Sequence, residues 1–300
     1  MKSGFIGLIG RPNVGKSTLV NAIVGKKVAI ISDKPQTTRN IIQGIRTDDD
    51  SQMVFIDTPG IHKPKNRLGK VLNKEAYFTI NDVDIILLLV DITEPYGKGD
   101  KFVLDVLKNV KLPVILVINK IDKLPKEEIL KKIDEYKDLY NFDEIVPISA
   151  VKKDNVDRLI AILKTKLTDN IKYYDEEMYT DKSVNFIVSE LIREKILELT
   201  YDEIPHSVSV IVDEFQDNKD KVNIMATIVV DRDGVKKIIV GKNGTMIKEI
   251  GTTARIDIEE FLGKKVYLEL FVKVIPKWRD REKFLNEVGF QDFNNLKNDV

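Results

Sequence analysis

The sequence predicts an α/β fold, a mostly parallel sheet with helices on both faces, followed by a smaller α+β unit. Three observations carry this. Short apolar runs alternate with amphipathic stretches through the first half, the rhythm of repeated strand–helix–strand units. A glycine-bounded loop, GRPNVGKS at 10–17, joins the first apolar run to the first helical pattern. From residue 184 the order changes to one helix, two alternating strands, two helices and a strand.

Taken in order, strands are expected at 5–9, 41–46, 53–56, 85–90, 114–118 and 145–148. Amphipathic stretches at 103–107, 129–136 and 156–167 supply covering helices. A polar, tyrosine-containing stretch at 168–182 reads as the connection between two domains. In the second half, Ile187, Leu191, Ile192, Ile196 and Leu199 recur at helical spacing. Alternating strands at 207–214 and 221–230 follow, turned by 217–220. A short helix at 235–240, a long one whose face is Ile247, Ile250, Ala254, Ile258 and Phe261, and a strand at 265–274 complete the unit.

Composition narrows the class. Three hundred residues suit two domains, and a hydrophobic share of 43% is enough for packed cores. With no cysteine, neither a disulfide nor a cysteine-based metal site holds the fold. The most apolar run, 85–90, lies between Asp84 and Asp91 and is far short of a membrane span. The apolar start of the chain runs into the glycine loop with no small-residue cleavage site, so the expected setting is cytoplasmic, with no transmembrane segment. Net charge is zero but uneven. Residues 175–220 hold thirteen acidic and four basic side chains, whereas 236–283 hold twelve basic and seven acidic ones, a modest pointer to a polyanion near the C-terminal end.

The motifs point to nucleotide chemistry. In the loop at 10–17, Gly10 and Gly15 let the backbone curl so that N–H groups from Asn13 and Val14 to Thr18 face a polyphosphate at a helix start. Lys16 then bridges the β- and γ-phosphates, and Ser17 ligates Mg²⁺. DTPG at 57–60 ends a strand, placing Asp57 to hold Mg²⁺ through a water and the Gly60 N–H to approach a γ-phosphate. NKID at 119–122 selects the base. The Asp122 carboxylate can accept both guanine N1–H and the 2-amino group, whereas adenine would leave it unpaired, a rejection of about 10⁴ or more. Asn119 is expected to tie the base to the glycine loop, and the Lys120 stem to cover its face. In SAV, Ser149, Ala150 and Val151 end the next strand, with the Ala150 N–H directed at guanine O6.

Four motifs in this order, each at a strand end, resemble those of the GTPases related to translation factors. Over essentially its full length the sequence is similar to the Era family of ribosome-assembly GTPases. GRPNVGKS matches the family's first motif, KPQTTRN at 34–40 its switch sequence, and DTPGI, NKID and SAV follow. VGKNGTMIKEIG at 240–251 looks like its type II KH loop. The resemblance implies a P-loop GTPase domain over 1–170, a linker over 171–182, and a type II KH domain with a C-terminal helix and tail over 183–300. It implies slow hydrolysis of GTP to GDP and phosphate, with Lys16, Thr38 and Gly60 as the catalytic set. The switch threonine is Thr37 or Thr38, with Thr38 favoured as the Mg²⁺ ligand.

Ras-like enzymes carry a water-orienting glutamine after this glycine; Ile61 stands there instead and cannot hydrogen-bond. His62 reads as a solvated loop histidine. Related GTPases with asparagine in the P-loop use potassium, which makes Asn13 its candidate ligand. A GxxG loop between helices clamps the backbone of single-stranded RNA in KH domains. The RNA-facing set is Gly241, Lys242, Asn243, Gly244 and Lys248, extended by Arg255, Lys264, Lys265 and Arg279. Trp278 either stacks a base or packs internally. The partners implied are the 3′ end region of small-subunit ribosomal RNA and the 30S subunit, with peripheral association at the inner face of the cell membrane as a further expectation.

Overall fold

The computed structural model describes residues 1–34, 37–60, 67–201, 204, 207–281 and 284–285. Residues 35 and 36 of the switch sequence, Ile61, His62 and the chain after 285 lie outside the described residues. The chain divides into two compact units; among the described residues the second takes in 32–34, 67–71 and the chain from Lys182 onward.

The first unit runs β1 (Lys2–Gly10), α1 (Lys16–Val24), β2 (Ile42–Asp48), β3 (Ser51–Asp57), α2 (Arg67–Asn81, which belongs to this unit from Leu72), β4 (Ile85–Asp91), α3 (Lys98–Leu107), β5 (Val114–Asn119), α4 (Lys126–Lys137), β6 (Glu144–Pro147) and α5 (Val156–Lys166). Its six strands lie in the order β2-β3-β1-β4-β5-β6. All pairings are parallel except β2 with β3, an antiparallel hairpin at one edge. Strands buried on both faces read as continuous apolar runs, and alternate residues of each strand feed two cores. Ile6, Leu8, Leu87 and Val117 pack with Leu19 of α1 and Leu163 of α5. Ile9, Leu88 and Ile118 pack with Ala76 of α2, Leu104 of α3 and Tyr136 of α4.

Register then places the chemistry. Leu8 is level with Asp57, Gly10 with Leu89, and Asp91 with Asn119. The carboxyl ends of β1, β3, β4 and β5 therefore finish along one rim, where ligands of open α/β sheets bind.

Two features depart from the sequence reading. Helix α2 was not anticipated there, although Leu68, Leu72, Ala76 and Ile80 recur every four residues and are buried. The polar stretch taken as a linker is fastened to the first unit as far as Asp181. Fully buried Gln52 donates to the Tyr174 carbonyl (2.8 Å) and accepts the N–H groups of Tyr173 and Tyr174 (2.8 and 3.0 Å). Further along, Ile45 N–H donates to the Tyr179 carbonyl on the outer edge of β2 (2.9 Å).

The second unit comprises α6 (Val184–Leu199), β7 (Val208–Asp217), β8 (Lys221–Val230), α7 (Asp233–Val240), α8 (Thr245–Leu262) and β9 (Lys265–Val274). Ser183 caps α6 by accepting the Phe186 N–H (3.3 Å). The sheet order is β7-β8-β9, antiparallel then parallel. Ile192, Ile224, Ile239, Ile250 and Ile258 lie in one core.

Trp278 is not available to stack a base. It is fully buried, its Nε1–H donates to the Ser207 carbonyl (2.9 Å), and its ring meets Phe284 edge-on at 5.8 Å between centroids. Truncating it removes a large buried ring and a satisfied hydrogen bond. Trp278→Ala is expected to destabilise the second unit by about 3–5 kcal/mol, read as a lower midpoint in urea unfolding followed by circular dichroism.

Candidate functional site

The phosphate side of the site is built by the turn from β1 into α1. Gly15 sits at φ 99°, and a Cβ there would lie 2.2 Å from Asn119 Nδ2, so only glycine fits beneath that side chain. The first turn of α1 has no side-chain cap, which leaves its N–H groups, Thr18 among them, for an anion. Lys16 is 6% exposed, and its ammonium donates to the carbonyls of Arg11 (3.1 Å) and Gly10 (3.4 Å). Burial lowers its pKa to about 8, against the opposing pull of nearby Asp57. The backbone of Gly60 closes on the loop: a Cβ would stand 2.7 Å from Pro12 N.

Ser17, Thr38 and Asp57 converge. The Ser17 hydroxyl donates to Asp57 Oδ2 (2.6 Å) and lies 2.9 Å from Thr38 Oγ1. Having spent its only proton on Asp57, Ser17 accepts from Thr38. It is Thr38 whose hydroxyl reaches this pair, while Thr37 is buried. Asp57 is fully buried; desolvation raises its pKa to about 6, although Lys16, Ser17 and Thr38 all favour its ionised form. Its second oxygen, Oδ1, is buried without a hydrogen-bond partner. A carboxylate with one unsatisfied oxygen beside two hydroxyls is a hard oxygen-donor set, and it fits Mg²⁺.

The base side lies at the ends of β5 and β6. Asn119 fastens three segments together: Nδ2 donates to the Val14 carbonyl (2.9 Å), and Oδ1 accepts the N–H groups of Ala150 (3.0 Å) and Lys120 (2.8 Å). The sequence reading gave the Ala150 N–H to guanine O6; in the structure Asn119 takes it, because the side chain spans from the P-loop to this turn. Ser149 donates to Asp122 Oδ1 (2.6 Å) and so aims that carboxylate, while Val151 is well exposed. Lys120 sits in the left-handed region (φ 69°); its ammonium reaches the Asn13 carbonyl (3.0 Å) and Asp91 Oδ2.

Three side chains at this site went unread in the sequence. Asp91 holds Lys120, and Arg11 donates to Asp100 Oδ2 (3.0 Å) at the start of α3. For Asp91 the signal was present: it is the first polar residue after the most apolar strand, and therefore at the rim.

In the second unit the GKNG loop links α7 to α8. Gly241 has φ 74°, and a Cβ would meet Met246 at 2.7 Å; Gly244 has φ 77°. Lys242, Asn243 and Lys248 are exposed beside them. The four outlying basic residues are paired with acids: Arg255 and Lys265 with Glu259 (2.9 and 3.5 Å), Lys264 with Asp217 (2.7 Å) and Arg279 with Asp231 (3.2 Å).

Residues 5–120 match the family described as 50S ribosome-binding GTPase, and residues 203–279 match the KH domain family. Two solved structures of Era are similar throughout, each 40% identical with a TM-score of 0.93, covering 97% of this chain and all of theirs. One is Era in complex with MgGDPNP and nucleotides 1506–1542 of 16S ribosomal RNA. The other is a tyrosine-to-alanine variant of Aquifex aeolicus Era bound to GDP·AlF4⁻.

Triphosphate binding needs a charged Lys16 and an ionised Asp57. Above pH about 8 the free protein has lost the Lys16 proton and must regain it on binding; below pH about 6 Asp57 has gained one and must lose it. Affinity for a Mg²⁺-bound GTP analogue is expected to plateau between these values and to fall on both sides, by up to about tenfold per pH unit. Titration calorimetry from pH 5 to 9.5 reads this, and a flat alkaline limb would contradict the role of Lys16.

Proposed function

The chain belongs to the Era family of GTPases, and from that premise we propose that it is a GTP-hydrolysing switch that binds the 3′ end region of small-subunit ribosomal RNA during 30S assembly. The observation that carries the reading is the convergence of Ser17, Thr38 and Asp57, with one Asp57 oxygen bonded to Ser17 and the other buried and unsatisfied.

Ser17, Thr38 and Asp57, the last through a water, hold the metal in this reading. Bound there, Mg²⁺ supplies positive charge against the β- and γ-phosphate oxygens. The chain does the rest by positioning and electrostatics. Lys16 is held in a dry pocket by two carbonyls and brings its charge to the transferring phosphoryl group, where low dielectric strengthens it. The Gly60 N–H approaches the γ-phosphate from the far side of the loop. Asp122, aimed by Ser149, accepts the two guanine donors, and Asn119 keeps that recognition in register with the P-loop. Potassium beside Asn13 belongs to the same proposal, as a supplementary charge in place of a catalytic side chain.

Thr38 is the part that senses the γ-phosphate. On hydrolysis Thr38 would lose the γ-phosphate it senses, and the switch sequence would be released. The output is the KH domain, whose GKNG loop brings backbone and exposed Lys242, with exposed Lys248 in the first turn of α8, against RNA phosphates. Among the described residues no helix is long and apolar enough to cross a membrane. A cytoplasmic setting is part of the proposal, with any association at the membrane's inner face peripheral.

Two variants test the halves separately. Asp122→Asn reverses the base-side pattern and is expected to weaken guanosine nucleotides by about 10²-fold or more while favouring xanthosine nucleotides, read by competition binding. Replacing Gly241 and Gly244 with Asp puts two negative charges on the loop that meets the phosphates; because a Gly241 Cβ also runs into Met246 at 2.7 Å, the fold of the second unit is checked by circular dichroism. Binding to an oligonucleotide of the small-subunit rRNA 3′ end should be abolished with nucleotide binding intact. Retained RNA binding would favour instead a regulator of protein partners.

A further inference from the structure

We propose that Asp91 is a positioning residue for guanine-nucleotide retention, acting through the ammonium of Lys120 on both the base platform and the P-loop. The inference rests on the GTPase reading above.

Asp91 lies outside the four nucleotide motifs. It ends β4, and its pairing level with Asn119 puts it beside the start of the NKID turn. Its carboxylate is oriented on both sides. Oδ1 accepts the Thr93 N–H (2.9 Å) and the Thr93 hydroxyl (2.7 Å), a local turn that fixes the carboxylate plane. Oδ2 accepts the Lys120 ammonium. The same ammonium donates to the Asn13 carbonyl (3.0 Å), so one charge joins β4, the NKID turn and the P-loop. Burial works to raise the Asp91 pKa, but hydrogen bonds from Lys120 and Thr93 hold it below the usual carboxylate range, so the carboxylate is ionised at neutral pH.

What this does follows from the lysine. A lysine stem is flexible, with many rotamers open to it, and a stem that covers the base must be held extended. Lys120 already stands in a left-handed conformation, as does Asn13 (φ 65°), and neither is a glycine. A charge-assisted bond at the tip converts that stem from a mobile chain into a fixed platform and pulls on the Asn13 carbonyl at once. An ion pair serving stability alone contributes little at a half-exposed position. This one stands at the rim, with the Asp91 side chain 9% exposed and Lys120 at 31%, and both its ends touch segments that shape the nucleotide site.

The test is a double-mutant cycle on the full chain, with dissociation of a fluorescent GDP as the readout. Asp91→Asn should speed release by at least tenfold in the wild-type background and change it by less than twofold in a Lys120→Met background, because Asp91 acts through that lysine. Release at the wild-type rate, or the same acceleration in both backgrounds, would overturn the proposal. If Asp91→Asn does not fold by circular dichroism, Thr93→Val removes the hydroxyl bond to Oδ1 at an exposed position and leaves the backbone N–H bond in place. It should speed release about threefold, again only when Lys120 is present, and an equal effect in both backgrounds would refute the link. Failure of the unaltered protein to bind GDP would instead overturn the GTPase reading.

Discussion

A buried ammonium organises the first unit. Lys16 is nearly inaccessible, and its partners are two main-chain carbonyls and, at longer range, the Asp57 carboxylate. Carbonyls offset only part of the cost of desolvating a charge. The remaining attraction is what a polyphosphate claims, so the pocket is selective for anions before any base is read. Keeping it requires a backbone that curls around the lysine, a glycine where Asn119 crosses, and a strand register that brings Asp57 alongside. The sheet order supplies the last of these by placing β1 between β3 and β4.

The two halves of the nucleotide site are joined by single side chains rather than by a continuous wall. Asn119 bridges the P-loop and the turn after β6, and Lys120 bridges the P-loop and β4. Each spans residues far apart in sequence, which is why rigidity at the rim does not depend on any one loop being stiff.

The same separation explains what the sequence disclosed. Alternating apolar runs exposed the sheet, and local spacing exposed α6 and β9 at their observed bounds. Motif residues were legible because their chemistry is written in consecutive letters. Arg11 and Asp100 stand 89 residues apart, and Asp91 and Lys120 29 apart, so nothing local announces either pair. The period-four apolar positions of α2 were present but lay between the DTPG motif and the next apolar run and were not read as a helix. Trp278 was ambiguous because burial of an indole depends on a distant acceptor, here the Ser207 carbonyl. The basic residues around the KH loop looked like a track, yet Lys264 and Arg279 are paired with acids from distant segments, Asp217 and Asp231, while Arg255 and Lys265 share Glu259 close by in sequence.

The tyrosine-bearing strap has a practical consequence for dissecting the protein. Gln52 of β3 gathers Tyr173 and Tyr174, Thr180 bridges Gly44, Asp181 accepts the Gln43 N–H (3.0 Å) and the Tyr179 carbonyl accepts the Ile45 N–H, so the outer margin of β2 from Gln43 to Ile45 is covered by chain that follows α5. A fragment cut at residue 170 would lose that cover and present bare strand amides to neighbouring molecules, an invitation to sheet-to-sheet association. An isolated catalytic piece that stays monomeric should therefore extend to Asp181.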